Sequence, residues 1–529
     1  MRFPSVSPYA SRRSAVMAEN MVATSQPLAT QAGVAMLAQG GNAVDAALAT
    51  AIALTVVEPT GNGLGSDGFA ILWDGSALHG LNASGRAPAA WNPERFARGI
   101  PERGWETVTV PGAVSGWAAL SERFGRLPFD DLFQPAIRYA EQGFAVSPII
   151  ARLWEIGAAE LSSQPGFADH FMPNGRAPAA GERYAAPNTA NTLREIARTG
   201  GDAFYRGELA QRIAEAAAAN GAALTAEDMA ADAPDWCGTI SKAFDGVELH
   251  EIPPNGQGIA ACMALGMLSH TPIRDLSPED PRALHLMWEA MKLALRDALA
   301  YVADPAAMTG VGAADLLDDG YLRDRAALID PARAQDFGAG APKLGGTVYL
   351  AAADSEGMMV SYIQSNYAGF GAGVVVPGTG IHMQNRGCGF TLEPGHQNQV
   401  AGGKRPFHTI IPGFLTENGA PRMAFGVMGG PMQAQGHVQM ILRTQIWGQD
   451  VQTAIDAPRW RVTEGLGVAC ESAMPREALD TLAAMGHAIT LETPDSAFGF
   501  GGAQLIHRLD SGVYAGGSDP RKDGCAAGF

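Results

Sequence analysis

The 529-residue chain predicts a layered α/β or α+β fold, and three observations carry that expectation. Helical patterns dominate up to about residue 300. Strand patterns dominate from 347 onward. Hairpin signals stand near both ends. A sheet made of hairpins needs helices or a second sheet over its apolar face, which yields layered architectures. With 47% hydrophobic residues the chain can bury a large core, and its length suits several domains or one large layered unit.

The elements follow in chain order. "SQPLATQAGVAMLAQGG" reads as a helix with Ser25 as N-cap, Pro27 in the first turn and Gly40-Gly41 at its close. "NAVDAALATAIALTVV" restarts at Asn42 and is apolar nearly all round, the pattern of a helix buried between layers. "GFAILWDGSALHGLNAS" alternates and turns at Asp74-Gly75, which predicts a hairpin. From about 129 to 300 helices dominate. "ELAQRIAEAAAANG" and "RALHLMWEAMKLALRDALAYV" are the clearest, the second with apolar residues at three- and four-residue spacing. The stretch 331–346, "PARAQDFGAGAPKLGG", has no periodicity and reads as a flexible connector. Strands are expected at 347–353, 358–364, 422–428, 468–471 and 503–508, with one helix around 432–446.

Composition narrows the function classes. The net charge is −17 and no basic cluster tracks phosphates, so nucleic acid is not an expected partner. The five cysteines are scattered without a C-x-x-C, against a disulfide framework and against structural zinc. The eleven histidines show no metal-ligand spacing, and neither metal nor cofactor is expected. The N-terminal stretch has no apolar signal region, and the apolar run Ala46 to Val57 is too short to span a bilayer. A soluble, cytoplasmic protein without membrane contact is the expectation.

The common catalytic motifs are missing. There is no H-E-x-x-H, no G-x-S-x-G and no P-loop. Gly256 to Ala261 fits G-x-G-x-x-A but follows "HEIPPN" and has no acidic ribose partner at the expected distance, so a dinucleotide site is not expected. Thr347 stands out instead, in "KLGGTVYLAAADSEGMMVSYIQS". Alone, a threonine opening a strand is a β-branched residue suited to a pleat. A threonine can also be a nucleophile with its own α-amine as base, which demands a free N-terminus. A mid-chain threonine gains one only if the preceding bond is cut. Gly346 has no side chain to hinder attack by the Thr347 hydroxyl on its carbonyl, and it tolerates a strained backbone.

Blocks spread along nearly the whole chain carry a resemblance. They include "MVATSQPLATQAGVAMLAQGGNAVDAALATAIALTVVEPTGNGLGSDGF", "VPGAVSGW", "GRLPFDDLFQPAIRYAEQGFAVSP", "GFGAGVVVPGTGIHMQNRG", "MGGPMQ" and "YAGGSDPRKDGCAAGF". In this order they resemble the γ-glutamyltranspeptidase family of N-terminal-nucleophile hydrolases. The resemblance implies a four-layer αββα sandwich, made as a zymogen and cut between Gly346 and Thr347. Residues 1–346 would form the α-chain and 347–529 the β-chain. Together they would be one intertwined domain, an α/β heterodimer from one precursor, with pairing of two such units left open.

The resemblance also assigns roles. Thr347 matches the family's nucleophile. Gly429 and Gly430 match the glycines whose N–H groups form the oxyanion hole. Ser365 falls where the family places a second threonine that hydrogen-bonds the nucleophile. The substrate-binding positions depart from the glutamyl-specific pattern. Tyr367 replaces an asparagine, Gly389 an aspartate that grips the donor's α-ammonium, and His408-Thr409 a serine pair that contacts its carboxylate. The family's carboxylate-binding arginine aligns nearest Ser84. Arg86 lies two residues on, hence on the same face of a continuing strand. An ammonium group without its carboxylate is costly to bury. The site thus suits a small acyl amide, oxamate-like or glutaryl-like, that carries a carboxylate and lacks the α-ammonium. This resembles the branch of oxamate amidohydrolase and cephalosporin acylase-like proteins. A true γ-glutamyl hydrolase or transpeptidase is the alternative, and a non-catalytic binding homologue a third. Hydrolysis versus transfer stays open.

Overall fold

The computed structural model describes residues 13–337, 346–493 and 499–529. Two seven-stranded sheets, each wholly antiparallel, form its centre. The first runs in the order Val16–Ala18, Tyr514–Ser518, Gly502–Arg508, Ala420–Met428, Gly413–Glu417, Val247–Glu251, Ile240–Phe244. The second runs Cys525–Gly528, Met21–Thr24, Gly346–Ala353, Met359–Tyr367, Asp67–Trp73, Leu78–Ala83, Asp235–Trp236.

Strand alternation explains the layers. Successive side chains of a strand point to opposite faces. In Gly346–Ala353, Val348, Leu350 and Ala352 pack with the helices Pro27–Ala38 and Ala43–Val57. Tyr349, Ala351 and Ala353 point the other way and meet Phe414, Ala424, Met428 and Ile506 of the first sheet. The first sheet's outer face, with Phe425, Val427 and Leu505, is covered by Gly258–Leu268, Pro281–Tyr301 and Met432–Ile441. This is the αββα sandwich.

The expected strands appear within three residues, as Gly346–Ala353, Met359–Tyr367, Ala420–Met428, Gly467–Glu471 and Gly502–Arg508. The Asp74-Gly75 hairpin joins Asp67–Trp73 to Leu78–Ala83. Asn42 caps the buried helix in a capping box with Asp45, and all of Ala43–Val57 is buried. The helix around 432–446 is α-helical over Met432–Ile441 and widens to a π-helical turn over Leu442–Ile446. One cap differs. Gln26, not Ser25, caps the first helix, its side-chain oxygen accepting from the N–H of Leu28 and Ala29. The Ser25 hydroxyl donates instead to buried Glu58 at 2.5 Å, a tertiary partner that outcompetes the local turn. Of the connector, 331–337 are irregular and 338–345 lie outside the described residues.

A buried charge network pins the C-terminal segment to the first sheet. Asp519 accepts from Arg459 at 2.5 Å, from the Ala503 N–H at 2.6 Å and from Arg521, and Arg521 also donates to Glu471. The two arginines hold Asp519 at about 2, below its ordinary 3.8, against the upward push of burial. Such a depressed carboxylate stabilises the fold above the unfolded-state pKa, and that contribution disappears as pH falls through about 2. Asp519→Ala would leave the buried Arg459 guanidinium without its carboxylate, Arg521 keeping Glu471, and is expected to cost about 3–5 kcal/mol at neutral pH. Denaturant titration of wild type and variant measures it, and the gap should narrow in acid.

Candidate active site

Thr347 sits at an irregularity in the sheet. Gly346 pairs with Tyr367 and Val348 with Gln364. Thr347 is the single residue between those pairs on its strand, whereas Ser365 and Asn366 lie between them on the partner. This is a β-bulge, and bulges serve to re-aim side chains. Thr347 shares its face with Tyr349 and so points between the two sheets. Its hydroxyl lies 3.1 Å from that of Ser365. Both residues are buried, at 1% and 0% exposure. The Tyr367 N–H donates to Ser365 Oγ at 2.8 Å, and the Gln433 side-chain amide reaches Thr347 Oγ1 at 3.5 Å. Tyr367 has φ +78°, in the left-handed region that a bulky residue rarely adopts.

Gly429 and Gly430 join the Ala420–Met428 strand to the Met432–Ile441 helix, with φ of +124° and +61°. Only glycine enters both regions without strain. Among the described residues neither glycine's N–H has a hydrogen-bond acceptor, although both residues are buried. The Gly430 carbonyl is held by the Gln433 N–H and by the side-chain amide of Gln257 at 2.9 Å. That same amide nitrogen donates to the Thr409 carbonyl at 2.6 Å. The G-x-G-x-x-A stretch therefore has a structural task. Its glutamine ties the Gly429-Gly430 turn to the 408–409 segment, and the strand before it, Val247–Glu251, lies in an antiparallel sheet.

Beside Tyr367 opens a cavity of about 310 Å³. Tyr367, Arg386, Gly389 and Thr409 line it together with the apolar Leu299 and Phe407. Three of the residues singled out from sequence thus converge. Gly389 leaves no room for a side chain, because a Cβ there would lie 2.4 Å from the Phe407 carbonyl oxygen. An aspartate at 389 is incompatible with this backbone.

Two expectations need correction. Arg86 is not among the residues lining this cavity. The Leu78–Ala83 strand ends before Ser84, so the two-residue alternation does not carry Arg86 inward. Its guanidinium pairs with Asp232 and Asp235 at 3.3 and 3.4 Å. His408 offers no positive charge. Its Nδ1 accepts from the Ile410 N–H, so Nε2 carries the proton and donates to Asp67 at 3.1 Å. Burial, with Arg386 and Arg405 nearby, holds His408 well below its ordinary range and keeps it neutral.

Arg386, Gln257, Gln433 and Asp67 were not singled out as site residues. Gln257 lay inside a motif read for another purpose, and Arg386 inside the quoted block "GFGAGVVVPGTGIHMQNRG". Asp67 and Gln433 also lay inside quoted blocks, ending in "GNGLGSDGF" and "MGGPMQ", but only tertiary packing brings them together here. Elsewhere, His285, Glu289 and His487 have ligand atoms within 4.8 Å of one another. Lys292 already holds Glu289 at 2.7 Å, and His285 donates to the Asp330 carbonyl at 2.8 Å. Glu289 and His285 are thus already engaged in a hydrogen-bond network, to which His487 adds its Nε2.

Asp67 carries a pH signature. Burial pushes its carboxyl up to about 7, against the opposing pull of Arg386 and the N–H groups of Gly85 and Gly112. A folded-state pKa raised above 3.8 means that ionising Asp67 in the fold costs stability as pH rises from about 4 to about 7. Glu58, also raised to about 7 by burial, acts in the same window. Stability should fall across that window, and Asp67→Asn should flatten the slope in thermal melts taken at pH 4 to 7.

The family model for gamma-glutamyltranspeptidase matches residues 29–529. A glutathione hydrolase-like YwrD proenzyme of Bacillus subtilis is 35% identical, covering 98% of this chain and all of that protein. An oxamate amidohydrolase proenzyme of Klebsiella pneumoniae is 36% identical, over 97% of this chain and 99% of its own. A cephalosporin acylase from Bacillus halodurans shares 46% identity with a TM-score of 0.96, covering 100% of this chain and 99% of that one. With the αββα sandwich already described, these matches make the chain an enzyme of the γ-glutamyltranspeptidase family.

Proposed function

We propose that this protein is a self-processing amidohydrolase that cleaves a small acyl amide bearing a carboxylate, through a Thr347 acyl-enzyme. The observation that carries the reading is the bulge that seats the Thr347 hydroxyl 3.1 Å from Ser365, directly after Gly346 and between the sheets. The proenzyme names of the Bacillus and Klebsiella relatives support processing.

In the uncut chain the Thr347 nitrogen is an amide and cannot act as a base. Thr347 Oγ attacks the Gly346 carbonyl carbon, the C–N bond breaks, and the acyl group moves to oxygen while the nitrogen gains a proton. Water hydrolyses the ester. The α-chain then ends in a Gly346 carboxylate and the β-chain begins with the Thr347 amine. A terminal amine titrates near roughly 7.7–8.0, suited to base catalysis near neutral pH. In turnover that amine takes the hydroxyl proton as Oγ attacks the substrate carbonyl. The tetrahedral oxyanion is met by the N–H groups of Gly429 and Gly430. The leaving amine departs with the proton, and water releases the acyl group as an acid. Ser365 orients the Thr347 hydroxyl.

The substrate class rests on Gly389. No carboxylate can stand there to meet an α-ammonium, so a γ-glutamyl donor would bury its charge without that partner. The second reading, a γ-glutamyl hydrolase, is favoured by the glutathione hydrolase-like name of the B. subtilis relative. A hydrolysis panel of oxamate, glutaryl amides and γ-glutamyl amides separates the two. Glutathione cleaved as well as any other amide would overturn the first.

Purified protein should run as two fragments under denaturing conditions, the smaller beginning Thr-Val-Tyr-Leu. Thr347→Ala should stay whole and inactive, and Thr347→Ser should still process. One full-length, fully active chain would refute the mechanism. Gln257→Leu should leave processed enzyme with kcat reduced about 10- to 100-fold at near-constant KM. That is less than the roughly 100- to 1,000-fold typical of losing an oxyanion donor, because the turn is loosened and its donors are kept.

A further inference from the structure

We propose that Arg386 is the carboxylate-binding residue of this enzyme, holding the substrate's acyl carboxylate two-pronged through Nε–H and Nη2–H. The proposal rests on the amidohydrolase reading above and supplies the cation that neither Arg86 nor His408 provides.

Arg386 opens a short 3-10 turn, Arg386–Gly389, and is 1% exposed. A buried guanidinium is normally paired. Arg386 uses one nitrogen, Nη1, which donates to Thr409 Oγ1 at 2.8 Å. Its Nε and Nη2 are buried and have no partner among the described residues. No carboxylate of the described residues lies within ion-pairing distance of it. Asp67 acts on it only through the longer-range field. Nε and Nη2 share one edge of the planar guanidinium, and that edge matches the two oxygens of a carboxylate. The surroundings thus leave open the half of the group that recognises an anion, at the wall of the cavity.

The cavity connects to the reacting atoms through Tyr367. Tyr367 lines the cavity, its ring lies 4.9 Å from the Arg386 Cζ, and in the sheet it pairs with Gly346. Gly346 carries the carbonyl that Thr347 attacks during processing, and a substrate carbonyl must later take the same place. The acyl group therefore begins beside Tyr367, and its far end extends toward Arg386. The ring stacks on the guanidinium, a weak contact, whereas a carboxylate meets it in its own plane along the Nε–Nη2 edge. Leu299 and Phe407 give the intervening methylenes an apolar wall.

The test uses processed enzyme and two anilides of equal length, glutaryl-p-nitroanilide and uncharged pentanoyl-p-nitroanilide. Arg386→Met and Arg386→Lys are compared with wild type, and the two-fragment pattern confirms that each variant folds and processes. Arg386→Met should lose roughly 100-fold or more in kcat/KM on the charged anilide and change little on the uncharged one. Arg386→Lys, with charge but no fork, should fall between. Binding of glutarate, read by calorimetry, should weaken in parallel. Equal losses on both anilides, or none on the charged one, would overturn the assignment while leaving the amidohydrolase reading intact. If wild type cleaves neither anilide yet binds glutarate in an Arg386-dependent way, the carboxylate site stands and the choice of amide falls. Glutarate binding unaffected by Arg386→Met refutes the proposal in either case.

Discussion

The bulge opposite Thr347 is the constraint on which the site depends. Two residues of one strand, Ser365 and Asn366, face one residue of its neighbour, and the hydroxyls of Thr347 and Ser365 come to 3.1 Å. A one-residue slip in that register would send every side chain of Gly346–Ala353 to the opposite face. Tyr349 and Ala351 would then turn to the helices, and Thr347 would leave the space between the sheets. Register is held from both layers. Val348, Leu350 and Ala352 are locked under two helices, while Tyr349 lies over Gly426, where a Cβ would come within 2.4 Å of its ring. The same core packing that stabilises the sandwich thus aims the Thr347 hydroxyl.

The electrostatics of the site follow from burial. His408 stays neutral first because it is buried, and further because Arg386 and Arg405 lie nearby. Asp67 orients the His408 ring and, through the Gly85 and Gly112 N–H groups, closes the loops that border the site. Arg386 itself is lowered to about 10 by burial and remains charged at neutral pH. Full burial of a cation with an open edge is unfavourable in a ligand-free fold. Such a cost is sustained where a ligand relieves it, which is the sense in which stored strain and unpaired charge mark functional positions.

The fold was legible where local pattern and tertiary demand agree. The Asp74-Gly75 hairpin, the Asn42 cap and the strands flanking Asp354-Ser355-Glu356-Gly357 have strong periodicity and turn chemistry, and the structure keeps them. The strands Tyr514–Ser518 and Cys525–Gly528 went unread, because alanine and glycine have little intrinsic preference for strands and only pairing with neighbours makes them so. Ser25 misled as a cap because its partner, Glu58, is 33 positions away. At the site, Thr347 was marked by its local context, and Gly429 and Gly430 by the family resemblance alone. Arg386 was hidden, since nothing in "QNRGCGF" tells that its guanidinium is enclosed. Arg86 was overrated, because alternation was extended past the end of its strand.

One arrangement serves both the self-cleavage and the turnover proposed here. Gly346 pairs with Tyr367, and in the proposed self-cleavage it supplies the carbonyl attacked by the hydroxyl one residue on, so that the uncut chain's own backbone takes the acyl position. In the proposed scheme cleavage vacates that position next to an amine that did not exist before, and the N–H groups of Gly429 and Gly430, which have no acceptor among the described residues, serve as the oxyanion donors in either reaction. The acyl chain of a substrate then has one direction in which to differ from Gly346, namely past Tyr367 into the cavity with Arg386 on its wall. Glycine needs nothing from that cavity, so processing makes no demand on the residues there. On the proposed mechanism, specificity can change at the Tyr367, Arg386 and Gly389 side chains without disturbing maturation, and these are the positions where the resemblance reads a departure from the glutamyl-specific pattern or where a charge has no partner among the described residues.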